Sequence, residues 1–283
     1  MIIIKNKKLK IFKKKSLFFI LLGFLPLIFT SGILFEKYKI FPYKQIKSLF
    51  KKNIPHRQVV QDSHKEVNPN TLINPKVFLI YGQSNSANYG QIGYDSSEQV
   101  FMFLNGKLYK HKDPIIGAGG DAGSVWGKVG DKLINQMQYD SVVFSSVGIG
   151  GASLEELVYR NNFYFFEKQI KEIKKVFGQI DGILFQQGET NHYQKQGSKN
   201  YLEDFSEFLR NTRETTQAPI YIAQTSICNN NSDKKLLSIQ NQIIKKYLNV
   251  LRGPNIDLLN DKKFRLPDKC HFSLMGFEEL SKL

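Results

Sequence analysis

Cysteine is nearly absent. Two residues in 283 cannot frame a disulfide-built module, and with no C-x-x-C pair there is no zinc ribbon or thiol-redox motif. H-E-x-x-H and the G-x-x-x-x-G-K-[ST] phosphate loop are also missing, so nothing speaks for a metal or for phosphoryl transfer. One damaged dinucleotide fingerprint exists, Gly148-x-Gly150-x-x-Ser153. It has no third glycine, follows the second strand pattern and has no acid at a strand end about 20 residues on, so a nicotinamide cofactor is not expected. Acidic residues are scarce at one end: the first 57 positions hold only Glu36 against fourteen Lys/Arg, which is +13 of the chain's +15. Residues 58–283 carry a net charge of only +2, too little for a nucleic-acid-binding face. What is present is ordinary: 41% hydrophobic and 23% charged residues exclude wholesale disorder.

The basic end has its own logic. Seven lysines in residues 1–15 precede an uncharged run at 16–35, SLFFILLGFLPLIFTSGILF. Twenty residues at about 1.5 Å each reach the ~30 Å of a bilayer's hydrocarbon, and Pro26 is tolerable there. The alternative is a cleaved signal peptide ending near Thr30-Ser31-Gly32, but the run is longer than such apolar regions usually are. An uncleaved single-pass anchor is expected, with the amino terminus inside and the body extracytoplasmic. Residues 36–75, with four prolines and little periodicity, read as a linker.

From residue 76 on, short apolar runs alternate with helical patterns. Candidate buried strands are 77–81 (VFLIY), 141–147 (SVVFSSV), 182–185 (GILF), 219–223 (PIYIA) and 256–259 (IDLL). Helical faces are formed by Ile170, Ile173, Val176 and Phe177, by Leu202, Phe205, Phe208 and Leu209, and by Leu236, Ile239, Ile243, Ile244 and Tyr247. A hairpin at 100–109 turns on Asn105-Gly106. The alternation predicts an α/β fold, a three-layer α/β/α sandwich around a five-stranded parallel sheet.

Ligands of such sheets bind beyond the carboxyl ends of the strands. There the chain places Gly82-Gln83-Ser84-Asn85, then Gly150-Gly151-Ala152-Ser153, then Gln186-Gln187-Gly188-Glu189-Thr190-Asn191, and finally Asp268-Lys269-Cys270-His271. Acyl transfer needs an exposed alcohol, a base and fixed donors for the oxyanion. Ser84 follows a sharp strand-to-loop turn, though a lone serine there more often caps a helix. Of five histidines, His56 and His64 fall in the linker and His111 after the hairpin, all three read as surface residues, while His192 is a fair candidate base. His271 is better, because Asp268 three residues earlier can hold its Nδ1 and leave Nε2 for the serine. The backbone N–H of Ser84, one from Gly150 or Gly151, and a third-loop amide are the natural oxyanion donors.

These four motifs, in this order, resemble the SGNH-hydrolase superfamily, and within it the sialate O-acetylesterase and acetylxylan-esterase-like carbohydrate esterases. The resemblance spans about 76–283. It implies strand order 2-1-3-4-5, Ser84 as nucleophile, His271 as general base and acid, and Asp268 as its carboxylate. It also implies that Gly151 and Gln187 complete the oxyanion hole with the Ser84 amide, and that Glu189 is a structural hydrogen-bond acceptor; Gln83, Asn85 and Asn191 are expected to support the site beside it. Two positions depart from the pattern: Gln186 stands where the family often has His, and Asn191 where it often has Asp.

Cys228 and Cys270 follow the last two expected strands and would share one rim, either bridged or as separate thiols. Trp126 could floor a sugar site but reads as core, and the sequence supports a glycan contact no better at Tyr89, Tyr94 or Tyr193. The expectation is a membrane-tethered serine esterase acting on O-acetylated glycan without a cofactor. The alternatives are a glycan O-acetyltransferase with the same triad, or an inactive glycan-binding protein.

Overall fold

The computed structural model describes residues 57–283 except 92, 98, 160, 195–199 and 230. The expected basic tail, the 16–35 span and most of the linker lie outside the described residues. Among the described residues no helix is long and apolar enough to cross a membrane.

One eight-stranded sheet organises the domain. Its strands are β1 (Glu66–Val67), β2 (Lys76–Gly82), β3 (Val100–Leu104), β4 (Lys107–Lys110), β5 (Val142–Gly148), β6 (Gly182–Gln186), β7 (Ile220–Gln224) and β8 (Val250–Asn255). The order across the sheet is β1-β4-β3-β5-β2-β6-β7-β8. From β3 to β8 every pairing is parallel, and β4 and β1 close one edge antiparallel. The run β5-β2-β6-β7-β8 has the expected 2-1-3-4-5 order. Central β2 is apolar almost throughout because both of its faces are covered, and Val77, Leu79, Ile80 and Tyr81 have no exposed surface.

Among the described residues the helices are α1 (Trp126–Met137), α2 (Leu154–Tyr159), α3 (Asn161–Phe177), α4 (Glu189–Tyr193), α5 (Tyr201–Arg213), α6 (Lys234–Lys246) and α7 (Leu274–Leu280). On one face Phe166 and Ile170 of α3, Phe205 and Phe208 of α5, and Leu236 and Ile243 of α6 join Leu79 and Tyr81 in a common core. The Phe208 ring lies 5.6 Å from that of Tyr81 and 5.1 Å from that of Phe185. On the other face α1 and α7 supply Trp126, Phe277 and Leu280 against Ile80 and Phe144.

Several expectations need correction. The sheet has eight strands rather than five. The hairpin at 100–109 does form, but β3 pairs with β5 and so extends the sheet. The last parallel strand is β8, Val-Leu-Arg-Gly-Pro-Asn, whereas Ile256–Leu258 is a 3-10 turn. An edge strand needs partners on one side only, so it tolerates Gly253 and Pro254 and shows no continuous apolar run.

Residues 57–75, expected as linker, are packed on the domain. Gln58 accepts from Gly117 N–H at 2.8 Å and donates to Ala118 O at 2.8 Å, and Glu66 pairs with Tyr109 through β1. An exposed sheet edge has hydrogen bonds to offer, and this segment takes them.

The histidines read as surface residues are also corrected: His64 and His111 are buried, at 9% and 5% exposure. His64 Nδ1 accepts the Gln61 N–H at 2.8 Å, whereas among the described residues neither ring nitrogen of His111 has a hydrogen-bond partner. His56 lies outside the described residues.

Burial holds the His111 imidazole neutral, its pKa lowered from 6.5 to about 4. The unfolded chain therefore binds a proton near pH 6.5 that the folded chain refuses until about pH 4, so this group's contribution falls as the pH drops across that window. Asp113, 3.8 Å away, is raised by burial from 3.8 to about 6 and has the opposite slope. The His111→Phe variant keeps Asp113 and isolates the imidazole. Chemical denaturation at several pH values should show the parent losing roughly 3 kcal/mol relative to this variant between pH 6.5 and 4. A difference that does not vary with pH would refute the assignment.

Candidate active site

Three motifs start from one row of the sheet, with Gly82 paired to Gly148 on one side and Gln186 on the other. Gly82 has φ +156°, and a Cβ there would stand 1.9 Å from the Gln186 carbonyl oxygen, so glycine is what lets β2 and β6 stay together under the turn. The next residues form a short 3-10 turn, Ser84–Ser86. Ser84 caps nothing: its hydroxyl has no hydrogen bond among the described residues, whereas Ser86 Oγ donates to Gln83 O at 2.7 Å.

A pocket of about 280 Å³ opens above this row, and Ser84, Gly150, Gly151 and His271 all line it. Gly151 takes φ +66°, and no atom lies within 4 Å of where its Cβ would be, so the backbone conformation rather than crowding calls for glycine. Among the described residues no hydrogen bond uses the backbone N–H of Ser84, Gly150 or Gly151.

His271 sits in a tight loop closed by Leu266 N–H donating to His271 O at 2.8 Å. Its Nδ1 lies 2.6 Å from Asp268 Oδ2, and Asp268 Oδ1 accepts the N–H groups of Cys270 and His271 at 2.9 and 3.0 Å. Burial by itself would raise the Asp268 carboxyl, but these N–H donors and the imidazole outweigh it and hold the group below the usual carboxylate range. An ionised carboxylate only accepts, so Nδ1 carries the proton. Nε2 is buried without a partner. The Tyr89 ring stacks on the imidazole at 5.4 Å, and its hydroxyl lies against Gly150, 2.2 Å from where a Cβ would be.

Around this centre the remaining motif residues form a brace. Gln83 Oε1 accepts from Gln187 Nε2, Gly188 N and Thr190 N at 3.1, 3.3 and 3.1 Å, holding the start of α4 beside the serine. Glu189 Oε1 accepts from Asn85 at 2.8 Å and Gln186 at 2.5 Å. Complete burial raises the Glu189 carboxyl. Asn191 Oδ1 accepts the first N–H of α2 at 2.9 Å, so both departures from the family pattern have partners here.

Gln187 differs from expectation. Its side chain is fully buried, does not line the pocket, and gives Nε2 to Gln83, Ala152 and Asn191, the last at 2.6 Å. An oxyanion donor must face the substrate, and this amide faces the brace. His192 is paired with Asp233 at 3.3 Å and also stays out of the pocket.

The loop carrying His271 is fastened twice more. Cys228 and Cys270 form a disulfide that lines the pocket. Buried Arg265 donates to the carbonyls of Leu259, Cys270 and Ile256 at 2.8, 2.6 and 3.1 Å. Sequence reading gave Arg265 no role; a lone arginine between Phe264 and Leu266 was the available signal. Trp126 is core, as expected, with Nε1 donating to Ser86 O at 2.9 Å, and Tyr94 is bound to Asp131 at 2.7 Å. The disulfide closes a 42-residue separation, so the Cys228→Ser, Cys270→Ser double variant should lose about 2–4 kcal/mol in urea unfolding. A loss under 1 kcal/mol would mean that hydrogen bonds alone fix the loop.

Residues 74–283 match the family described as carbohydrate esterase, sialic acid-specific acetylesterase. The chain belongs to this family. It is a carboxylic ester hydrolase of the carbohydrate-esterase class. No curated protein matches the sequence significantly. Among solved structures, a protein from Arabidopsis thaliana is similar at 16% identity and TM-score 0.60, covering 74% of this chain and 94% of its own. A carbohydrate acetylesterase from Xanthomonas citri is similar at 15% identity and TM-score 0.49, over 73% of this chain and 54% of its own. A lipase/acylhydrolase from Enterococcus faecalis aligns at 13% identity and TM-score 0.46, over 73% and 92%. At 16% identity the likeness to the Arabidopsis protein concerns the fold alone.

Proposed function

We propose that this esterase removes O-acetyl groups from carbohydrate through an acetyl-enzyme on Ser84. The observation that carries the reading is the state of His271: Nδ1 is held by an ionised carboxylate, Nε2 has no partner, and the ring shares a pocket with an uncommitted serine hydroxyl. Ser84 Oγ attacks the ester carbonyl as its proton passes to Nε2. The developing oxyanion is met by backbone N–H groups of Ser84 and Gly151, with Gly150 beside them. The imidazolium, stabilised by Asp268, returns the proton to the departing sugar oxygen. Water, deprotonated by the same nitrogen, then releases acetate. Gln83, Asn85, Glu189, Gln187 and Asn191 hold the two loops in register.

Two observations bear on location. The disulfide suits an oxidising, extracytoplasmic setting, and residues 16–35 are long enough to anchor the domain at a membrane. Surface glycans are the substrates such a placement favours.

The reading is tested with a fluorophosphonate, which should label Ser84 and no other residue by peptide mass analysis. An acetylated sugar should release one free acetate per sugar hydroxyl uncovered. An unlabelled Ser84 would overturn the mechanism. Acetyl recovered on an added sugar acceptor instead of in water would make the protein a transferase with the same triad.

A further inference from the structure

We propose that Tyr193 is a stacking platform for the sugar ring whose acetyl group enters the pocket. This rests on the carbohydrate-esterase reading above and adds a subsite to it. Tyr193 lines the same pocket as Ser84 and His271, yet it is 65% exposed. Among the described residues other side chains are as exposed, but Tyr193 is the one of them that also lines the pocket of Ser84 and His271, which leaves its ring open to a ligand held there. Tyr89, the other tyrosine of the pocket, already has its ring stacked on His271. Among the described residues no hydrogen bond or ring contact engages Tyr193.

The ring is also well positioned. Tyr193 ends α4, and the start of that helix is held by the Gln83 side chain, one residue before the nucleophile. Its neighbour His192 is tied to Asp233 at 3.3 Å. Hydrogen bonds therefore hold the start of α4 to the residue before Ser84 and its end to Asp233 at the head of α6. An acetyl carbonyl held at Ser84 must point its alcohol portion out of the pocket, where Tyr193 lies. A pyranose offers C–H groups on one face and hydroxyls at its rim. The C–H face covers the aromatic ring while the hydroxyls remain in water.

The test compares kcat/KM for an O-acetylated methyl pyranoside with that for ethyl acetate, which has no ring to stack. In Tyr193→Ala the ratio of the two should fall roughly 3- to 10-fold, chiefly through KM for the sugar. Tyr193→Phe, which keeps the ring, should preserve the ratio. An unchanged ratio in Tyr193→Ala, or an equal fall in Tyr193→Phe, overturns the proposal, as does an equal loss on octyl acetate, which would mark a lipophilic patch. If the parent protein hydrolyses none of these esters, the functional reading fails separately. The subsite is then judged by saturation-transfer NMR with the unacetylated methyl pyranoside: a signal lost in Tyr193→Ala supports it, and a signal absent from the parent or retained in the variant refutes it.

Discussion

Ser84→Ala is expected to lower kcat on an aryl acetate by about 10⁴- to 10⁶-fold while leaving the fold intact. In the proposed mechanism the alcohol and the imidazole act as one unit, so without the alcohol the base has nothing to activate. The proposed oxyanion donors are backbone N–H groups that remain in the variant, so a residual rate above that in water should persist. Stability should move the other way or not at all. Ser84 is 5% exposed, and among the described residues its hydroxyl, which faces the pocket, makes no hydrogen bond, so its removal breaks none. Thermal unfolding should therefore match the parent's or sit slightly above it. Acetate release within tenfold of the parent rate would show that another group is the nucleophile.

What could be read in advance, and what could not, divides along physical lines. Parallel strands buried on both faces are written as unbroken apolar runs, so 77–81, 141–147, 182–185 and 219–223 were legible within a residue or two of β2, β5, β6 and β7. Edge elements were not. β8 carries arginine, glycine and proline, and β1 has two residues, because an edge strand need not be apolar. The candidate site was legible as motifs following strands, since a glycine-containing turn and a D-x-x-H loop are local patterns. Side-chain direction is not local. Gln187 looked like an oxyanion donor by position, yet its amide turns toward Gln83 and Asn191, a choice made by packing across three loops. His111 was misread for a similar reason: it follows the hairpin in sequence, but β3, β4 and α1 close around it only after the sheet assembles. The partnership of Arg265 with three carbonyls likewise exists only in three dimensions.

Asp268→Asn separates the carboxylate's electrical role from its structural one. The Asn Oδ1 can still accept the N–H groups of Cys270 and His271, which lie 2.9 and 3.0 Å from Asp268 Oδ1, so the loop should keep its shape. The amide that replaces Oδ2 is a donor facing Nδ1. The imidazole then turns Nδ1 into an acceptor and carries its proton on Nε2, the tautomer that cannot take a proton from Ser84. With no negative charge beside it, the imidazolium formed during attack is also less stable. A fall in kcat of about 10²- to 10⁴-fold is expected, with KM nearly unchanged.

The pH dependence has a definite sign. Because the Asp268 carboxyl is held below its ordinary 3.8, its stabilising contacts are complete above that value and are lost only as the pH drops through the lower folded value. At neutral pH the parent and Asp268→Asn should therefore differ steadily in rate. Their stabilities should converge only under acid below about pH 4. The measurement is kcat on an aryl acetate from pH 5 to 9, paired with thermal unfolding down to pH 3. Parent-like turnover in the variant across that range would mean that the 2.6 Å contact orients His271 without setting its tautomer, and that the charge beside the ring contributes nothing to the barrier.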